Sequence, residues 1–170
     1  MPDLLCHYDN KRQVDIAVLD FSQAFDTVPH RRLVNKLNHY GIDGTTGNWI
    51  ASFLQDREQC VVVNADKSGW SHLASGVPQG TVLGPLLFLA YINDLPDHVS
   101  SQVRLFADDC LIYRSIASIQ DQLDLKADLD ALHVWSLTWG MKFNPSKCTI
   151  LSIARSSSNL HKYYFLEVLS

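Results

Sequence analysis

Apolar and polar residues are arranged along the chain in blocks that predict a mixture of strands and helices. The block "VDIAVLD" (residues 14–20) is apolar and β-branched, and it predicts a buried strand that ends at the carboxylate of Asp20. The block "FSQAFDTVPH" comes next and predicts a tight helical turn that Pro29 interrupts. Further along the sequence, "CTILSIA" and "KYYFLEVL" predict two more strands.

Four longer blocks carry the apolar content or spacing of helices. "HRRLVNKLNHYG" predicts a helix that stops at Gly41, and "TTGNWIASFLQD" predicts a second one. "TVLGPLLFLAYINDLP" is mostly apolar, so it predicts a buried helix that ends at Pro96. The longest helix is predicted for residues 118–139, where leucine and tryptophan side chains form an apolar stripe.

Two pairs of strand-like blocks predict hairpins. "QCVVVN" and "WSHLAS" flank the polar turn "ADKSG", and "QVRLFA" and "CLIYRS" flank the adjacent residues Asp108 and Asp109. The sequence contains no internal repeat and no low-complexity linker. This order of elements predicts an α+β fold, with helices on one face of an antiparallel sheet in a split βαβ-like plan.

Three aspartates are the first candidates for chemistry. If the first strand pairs beside the hairpin, Asp20, Asp108 and Asp109 meet at one edge of the sheet. Clustered carboxylates repel one another unless a proton or a cation compensates them, and carboxylate oxygens are suitable ligands for Mg²⁺. The alternative is that Asp108 and Asp109 only form the turn, since aspartate is a common turn residue.

The loop "SGVPQGTVLGP" is the second candidate. Its glycines and Pro78 define a tight backbone path ahead of a helix whose first N–H groups are free to bind a polar ligand. Gln79 offers a donor and an acceptor in the same place, which suits a base, a sugar or a phosphate. The alternative is an ordinary loop whose glycines only satisfy turn geometry.

Together, "AVLDFSQAFDTVPH", "SGVPQGTVLGPLLFLAYINDLP" and "VRLFADDCLIYR" resemble the palm of reverse transcriptases, in the same order and spacing. The similarity runs from about Val14 to Ile153 and is greatest to non-LTR (LINE-type, jockey-like) retrotransposons. The resemblance implies that Asp20, Asp108 and Asp109 are catalytic and bind two Mg²⁺ ions, for which Mn²⁺ is a possible substitute.

The resemblance also implies roles in nucleotide and template binding. Phe25 matches the bulky residue that crowds the sugar 2′ position, although it is also a plain core phenylalanine. Gln79 matches a glutamine that lies along the incoming nucleotide and the template, in a loop shaped by Pro78 and Gly80. Lys147 matches a catalytic lysine near the triphosphate, and its alternative is a solvated turn lysine.

The function implied by the resemblance is RNA-directed DNA polymerisation, by two-metal nucleotidyl transfer from dNTPs onto the 3′-hydroxyl of a DNA primer on an RNA template. The main alternative is a catalytically inert remnant that acts as a passive or interaction domain. An RNA-copying RNA polymerase and an intron-encoded maturase are two further alternatives. Phe25 argues against ribonucleotides, and the quoted motifs favour the retrotransposon group.

Charge and length set the remaining expectations. The chain has 170 residues and a formal net charge of −4, which is unusual for a protein that binds nucleic acid by its phosphates. The resemblance implies a single palm domain over residues 1–170, truncated at both ends and lacking most of the basic fingers and thumb, with residues 1–13 a remnant before the first motif, and this would explain the negative charge. Nucleic-acid binding by the chain alone is expected to be weak.

Cellular location is predicted from absent signals and from cysteine spacing. The sequence shows neither a signal peptide nor a membrane-spanning run, so we expect no membrane partner and an intracellular protein of the nucleus or cytoplasm. The four cysteines lack paired spacing, which favours idle thiols in a reducing compartment and no zinc site.

Overall fold

The computed structural model describes residues 13–154, and these form two compact units. Within the described residues, the first unit consists of residues 13–22 and 94–154, and the second is Gln23–Asn93. The strand predicted for "KYYFLEVL" lies outside the described residues.

The elements are numbered here in chain order. The strands are β1 (Gln13–Asp20), β2 (Glu58–Gln59), β3 (Val62–Val63), β4 (Asp66–Lys67), β5 (Ser71–His72), β6 (Gln102–Phe106), β7 (Asp109–Ile116) and β8 (Thr149–Ile153). The helices are α1 (Ala24–Thr27), α2 (His30–His39), α3 (Gly44–Leu54), α4 (Leu83–Ile92) and α5 (Ile119–Trp139), with a 3₁₀ helix at Leu95–His98.

The first unit is built on a four-stranded sheet with the order β6-β7-β1-β8. All three neighbouring pairs are antiparallel, so β1 has β7 on one side and β8 on the other. This arrangement confirms that the first strand pairs beside the hairpin. The α+β fold with an antiparallel sheet, predicted from the sequence, is confirmed as well.

The two faces of this sheet differ because side chains alternate along each strand. One face is mostly apolar and lies under α5, as the ion pairs from Arg114 on β7 to that helix demonstrate. Its fully buried side chains include the apolar Ala17, Leu19, Cys110 and Ile112, and the carboxylate of Asp15, opposite Arg114 in the ladder, is fully buried there as well. The opposite face carries a smaller cluster of Val14, Ile16 and Tyr113, with Val18 and Leu111 partly buried against it. Asp20 belongs to this second face, because it follows Val18 by two residues.

Helix α5 begins and ends at residues suited to those positions. Ser118 and Asp121 form a reciprocal capping box, and Gly140 ends the helix with a positive φ of 72°. The backbone N–H of Ala117 and the hydroxyl of Ser118 donate to Asp121 and hold the pKa of its carboxyl below the ordinary value. The longest predicted helix is therefore confirmed at both ends.

Helix α5 is also tied to the sheet through one buried carboxylate. Asp128 is 7% exposed and accepts hydrogen bonds from the backbone N–H groups of Ser100, at 2.9 Å, and Ser101, at 2.8 Å. Arg114 pairs with Asp124 at 2.6 Å and reaches within 3.8 Å of Asp128. These bonds hold the segment before β6, strand β7 and α5 in one arrangement.

The second unit packs helices around the apolar helix α4. Phe88, Tyr91 and Ile92 of α4 are fully buried, whereas Leu86 and Leu89 are exposed, so the helix predicted to be buried is buried on one face only. Lys36 of α2 is buried as well, and its ammonium donates to the carbonyl of Tyr91 at 2.7 Å while lying over the Tyr91 ring. This contact stabilises the C-terminal end of α4, where the last carbonyls lack helical partners.

Two predicted boundaries are wrong. The strand pair predicted around "ADKSG" is divided into a β2–β5 ladder and an inner β3–β4 hairpin, each two residues long. The inner turn lies at Asn64 and Ala65, whose φ angles of 50° and 71° have the signs of a type I′ hairpin turn. The helix predicted to end at Pro96 ends at Ile92, because the proline fits the first turn of the 3₁₀ helix that follows.

Within residues 13–154, no helix is both long and apolar enough to cross a bilayer.

Candidate active site

Two of the three candidate aspartates lie directly opposite each other in the sheet. Asp20 is the last residue of β1, Asp109 is the first of β7, and they are partners in the antiparallel ladder. Directly opposed residues project from the same face of a sheet, with Cβ atoms about 5 Å apart. The end of the β1–β7 pair therefore carries two neighbouring carboxylates.

The third aspartate lies in the turn that joins β6 to β7. Phe106 pairs with Asp109, which leaves Ala107 and Asp108 as a two-residue turn. Ala107 has a φ of 51°, in the left-handed region that side chains other than glycine rarely adopt. The tight turn holds Asp108 next to the opposed pair along the chain, and its side chain is partly buried.

The Asp20 carboxylate has two unlike oxygens. Oδ2 lies 3.3 Å from Nζ of Lys147, an ion pair between residues 127 positions apart in sequence. Oδ1 is buried and accepts no hydrogen bond from the described residues. A buried oxygen without a donor is costly unless another group binds it, so Oδ1 is the best-placed atom here for a cation.

The segment that carries Lys147 is attached to the end of β1 through its backbone. The N–H of Asn144 donates to the carbonyl of Asp20 at 2.8 Å, and the N–H of Ser22 donates to the carbonyl of Lys142 at 2.7 Å. Between them, Phe21 pairs with Phe143 and their rings stack at 4.6 Å. The lysine is thereby held close to the carboxylate.

A local turn completes this segment. The side-chain oxygen of Asn144 accepts from the N–H and the hydroxyl of Ser146, and the N–H of Lys147 donates to the Asn144 carbonyl. Asparagine followed by proline and serine is typical of such turns. The sequence signal for the turn was present, but nothing in it pointed to the ion pair with Asp20.

The three carboxylates do not form a preassembled metal site. Among residues 13–154, no group of three or more His, Cys, Asp or Glu side chains is arranged to hold a metal ion. The backbone brings Asp20, Asp108 and Asp109 to one end of the sheet without gathering their side chains. The available oxygens are nonetheless the hard ligands that Mg²⁺ and Mn²⁺ prefer, and Oδ1 of Asp20 is unpaired within the described part of the chain.

Two buried cysteines lie near this end of the sheet. Burial and the nearby Cys148 raise the pKa of Cys110 to about 12, and burial also raises the pKa of Cys148. Cys110 is on β7 and Cys148 immediately precedes β8, so strand β1 separates them. Two strand spacings amount to roughly 10 Å, which is too far for a disulfide between them. Cys60, Cys110 and Cys148 are free thiols, as predicted.

In the second unit, Phe25 packs within the fold. Its ring stacks on Phe88 of α4 with centroids 4.7 Å apart, and its side chain remains partly exposed. The carbonyl of Phe25 accepts from the N–H of Val77 at 2.7 Å. The residue is therefore held rigidly while one part of its surface stays accessible.

The loop that contains Pro78, Gln79 and Gly80 lies against the same helical turn. The side-chain amide of Gln79 donates to the carboxylate of Asp26 at 2.9 Å, a contact that sequence analysis missed. A largely polar cavity of about 560 Å³ opens beside them and includes Arg57 in its lining. Gly80 has a φ of 76°, so a glycine is needed there for the backbone itself.

The start of α4 packs tightly on this loop. The carbonyl of Pro78 accepts from the hydroxyl of Thr81 at 2.8 Å, and that hydroxyl oxygen accepts from the N–H of Gly84. A Cβ on Gly84 would collide with the Pro78 carbonyl. The shape of the loop therefore depends on the absence of a side chain at Gly84.

Comparison with known proteins gives concordant matches. The family model described as "Reverse transcriptase (RNA-dependent DNA polymerase)" matches residues 3–166. The RNA-directed DNA polymerase from mobile element jockey of Drosophila melanogaster is 31% identical over 160 residues, covering 89% of this chain and 17% of the relative. The probable RNA-directed DNA polymerase from transposon BS of the same species is 32% identical, covering 85% of this chain and 17% of the relative.

More distant matches extend the comparison. A Pol polyprotein from the type-1 retrotransposable element R2 of Popillia japonica is 27% identical, covering 91% of this chain and 28% of the relative. A structure of telomerase from Candida tropicalis, in complex with the TWJ fragment of telomeric RNA, superposes with a TM-score of 0.65 at 12% identity, covering 92% of this chain and 30% of that one. The chain thus spans less than a third of each of these proteins, and the telomerase supports the fold alone.

Proposed function

The chain belongs to the reverse transcriptase family, and from that membership we propose that it forms the palm of an RNA-directed DNA polymerase of the non-LTR retrotransposon type. The similarity to the jockey and transposon BS polymerases confirms the group predicted from the motifs. Reverse transcriptases use divalent metal ions, as polymerases in general do. The proposal for this chain is a palm that binds Mg²⁺ and supports nucleotidyl transfer.

The observation that carries the proposal is the register of β1 and β7. It places Asp20 opposite Asp109, and the two-residue turn adds Asp108 beside them. Asp20, Asp108 and Asp109 would hold two Mg²⁺ ions, or Mn²⁺ in their place. Oδ1 of Asp20 is the oxygen most in need of a cation, because it is buried and accepts no hydrogen bond from residues 13–154.

The chemistry divides between the bound ions and the protein. When bound, such a pair of ions lowers the pKa of a primer 3′-hydroxyl and neutralises charge on the departing pyrophosphate. The protein's own part is to hold the carboxylates at fixed positions and to supply a cation from Lys147. The side chain of Lys147 is 63% exposed, so its ammonium is accessible to a triphosphate and is proposed to act as a proton donor there.

The second unit would supply the nucleotide and template contacts. Phe25, stacked on Phe88, is the proposed steric gate that selects deoxynucleotides. Gln79 is proposed to lie along the incoming nucleotide and template, with Pro78 and Gly80 shaping its loop. The hydrogen bond to Asp26 supports this role, because it fixes the orientation of the amide.

The proposed partners are an RNA template, a DNA primer and dNTPs. The similar proteins from jockey and transposon BS are named as RNA-directed DNA polymerases, which supports a nucleic-acid partner here. Affinity of this chain alone should be low, because a net charge of −4 leaves few cations to displace counterions from a duplex. Such a polymerase would work in the nucleus or the cytoplasm.

An inert remnant is the second candidate function. It is favoured by the observation that no three acidic, histidine or cysteine side chains of residues 13–154 are arranged as metal ligands. The chain also spans only 17% of the length of the jockey polymerase. In that case the fold would persist as a passive or interaction domain.

The test is metal binding followed by primer extension. Titration of the 170-residue chain with Mn²⁺, followed by electron paramagnetic resonance, should reveal a site that Asp20→Asn and Asp108→Asn weaken by roughly tenfold or more, as expected for loss of a charged ligand. Asp43→Asn is the matched control, since Asp43 is an exposed carboxylate at the start of α3 that makes no capping bond.

The outcomes separate the two candidates. Mn²⁺ binding that depends on Asp20, without extension of a primer by the isolated chain, supports a polymerase palm that needs further domains. Absence of Mn²⁺ binding supports the inert remnant. Extension at an unchanged rate by Asp20→Asn would contradict the assignment of the metal site.

A further inference from the structure

Lys147 and Asp20 form a pair that has a consequence for metal binding. We infer that Lys147 is a built-in counter-ion of the site, which occupies Oδ2 of Asp20 and competes with the divalent cation for that carboxylate. The inference rests on the proposed function, since it concerns the same Asp20. Under this inference, the affinity for the metal depends on the charge of Lys147 as well as on the three aspartates.

The pair is asymmetric in its exposure. The side chain of Asp20 is 14% exposed, whereas that of Lys147 is 63% exposed, and their charged atoms are 3.3 Å apart. The carboxylate is therefore fixed and largely shielded, while the ammonium approaches it from the solvent side. An ion pair with one exposed member is weak, so a divalent cation is able to displace the lysine.

The closeness of the two charges is determined by the backbone. Asn144 binds the carbonyl of Asp20 itself, and the turn from Asn144 places Lys147 three residues later. The stacked pair of Phe21 and Phe143 continues the attachment on the other side. Because the segment is bonded to the residue whose charge it compensates, the pair does not depend on a chance side-chain conformation.

Competition follows from the charges on the two oxygens. Oδ1 is buried and free of hydrogen bonds from the described residues, and Oδ2 is held by the ammonium. A divalent cation that binds Asp20 through both oxygens must displace the ammonium, and one that binds through Oδ1 alone experiences its repulsion. In either case the affinity for the metal is lower than the aspartates alone would give.

The structure supplies a variant and a matched control. Lys147→Met removes the charge and keeps the length of the side chain. Lys142→Met makes the same charge change in the same segment, at an exposed lysine that forms no ion pair with residues 13–154. Mn²⁺ titration of the full chain should give a dissociation constant roughly three- to fivefold lower for Lys147→Met, the worth of an exposed ion pair. Lys142→Met should change it by less than about twofold.

Two further variants locate the effect. Lys147→Arg retains a cation and should bind Mn²⁺ within about twofold of the unmodified chain. The gain from Lys147→Met should disappear when Asp20→Asn is also present, because the competition acts through that carboxylate. Circular dichroism and thermal unfolding of each variant establish that the fold is retained.

The possible results lead to different conclusions. Equal Mn²⁺ affinities for the unmodified chain and Lys147→Met, with binding still dependent on Asp20, would overturn the inference and leave the proposed function standing. Equal gains from Lys147→Met and Lys142→Met would also overturn it, in favour of general electrostatics. If neither the unmodified chain nor Lys147→Met binds Mn²⁺, the inference and the metal assignment fail together.

Discussion

Replacement of Asp128 by asparagine should destabilise the first unit strongly. The carboxylate is 7% exposed and accepts from two backbone N–H groups, those of Ser100 and Ser101. An asparagine has a single side-chain oxygen, so its NH₂ group would face one of these donors. The variant would leave the N–H of Ser100 or of the buried Ser101 without its acceptor and reduce the other bond to a neutral one.

The magnitude follows from the number and kind of bonds. A hydrogen bond to a charged acceptor contributes about 1.5–3 kcal/mol, and an unsatisfied buried donor costs about 1–3 kcal/mol. Arg114 retains Asp124 as a partner at 2.6 Å, so it limits the loss of charge pairing. We therefore expect Asp128→Asn to lower the free energy of unfolding by about 2–3 kcal/mol.

The assay is urea unfolding followed by far-UV circular dichroism at neutral pH. With a slope of about 1–3 kcal/mol per molar urea, the midpoint should fall by roughly 0.7–3 M. The control is Asp130→Asn on the same helix, where an exposed i,i+4 pair with Lys126 contributes only about 0.3–0.5 kcal/mol. If Asp128→Asn shifts the midpoint no further than Asp130→Asn does, the bonds to Asp128 contribute no more than the exposed pair, which would contradict the prediction.

Three more predictions concern other contacts. Gly84→Ala should lower the free energy of unfolding by at least about 2 kcal/mol, because the added Cβ collides with the backbone carbonyl of Pro78. A melting temperature equal to that of the unmodified chain would contradict this prediction. Thiol labelling at mildly alkaline pH, followed by peptide mapping, should modify Cys60 and leave Cys110 and Cys148 unmodified, because the raised pKa values of the two buried thiols keep them protonated. Rapid labelling of Cys110 in the native state would be inconsistent with its burial. Because the pKa of Asp121 is lower in the folded state, its ionised carboxylate stabilises the fold above about pH 4, and this stabilisation is lost as the pH falls through the folded-state pKa. Asp121→Asn should therefore make the free energy of unfolding less dependent on pH in that range. Parallel plots of the free energy of unfolding against pH for the variant and the unmodified chain would contradict this.

Strands and helices with local signals were predictable from the sequence. The apolar, β-branched content of residues 14–20 indicated β1, and the apolar stripe of leucine and tryptophan in residues 118–139 indicated α5. Each of these signals lies within a short stretch of chain, where spacing and turn chemistry decide the structure.

The contacts between distant residues were not predictable. The ion pair of Asp20 with Lys147 joins residues 127 positions apart, and the bond from Gln79 to Asp26 joins residues 53 apart. Side-chain pairing at that separation depends on the registers of several elements together. A single sequence carries no local pattern that reports it.

The strand boundaries predicted between α3 and α4 are wrong for a different reason. Its apolar run Val61, Val62 and Val63 was read as part of a strand pair, yet all three side chains are exposed. The turn between β3 and β4 uses Ala65 with a φ of 71°, where glycine or asparagine is the usual signal. Composition predicted the strand state but neither the length of the ladders nor the position of the turn.

The central place of β1 in its sheet gives Asp20 a part in folding that is independent of any reaction. If β1 paired one residue out of step, every side chain would change faces, and Asp20 would enter the layer beneath α5 in the place of Leu19. Asp15 is already buried in that layer, but it lies opposite Arg114, whereas a displaced Asp20 would lie opposite the thiol of Cys110. A buried carboxylate without a cation costs several kcal/mol, so Asp20 makes the slipped register less stable than the observed one.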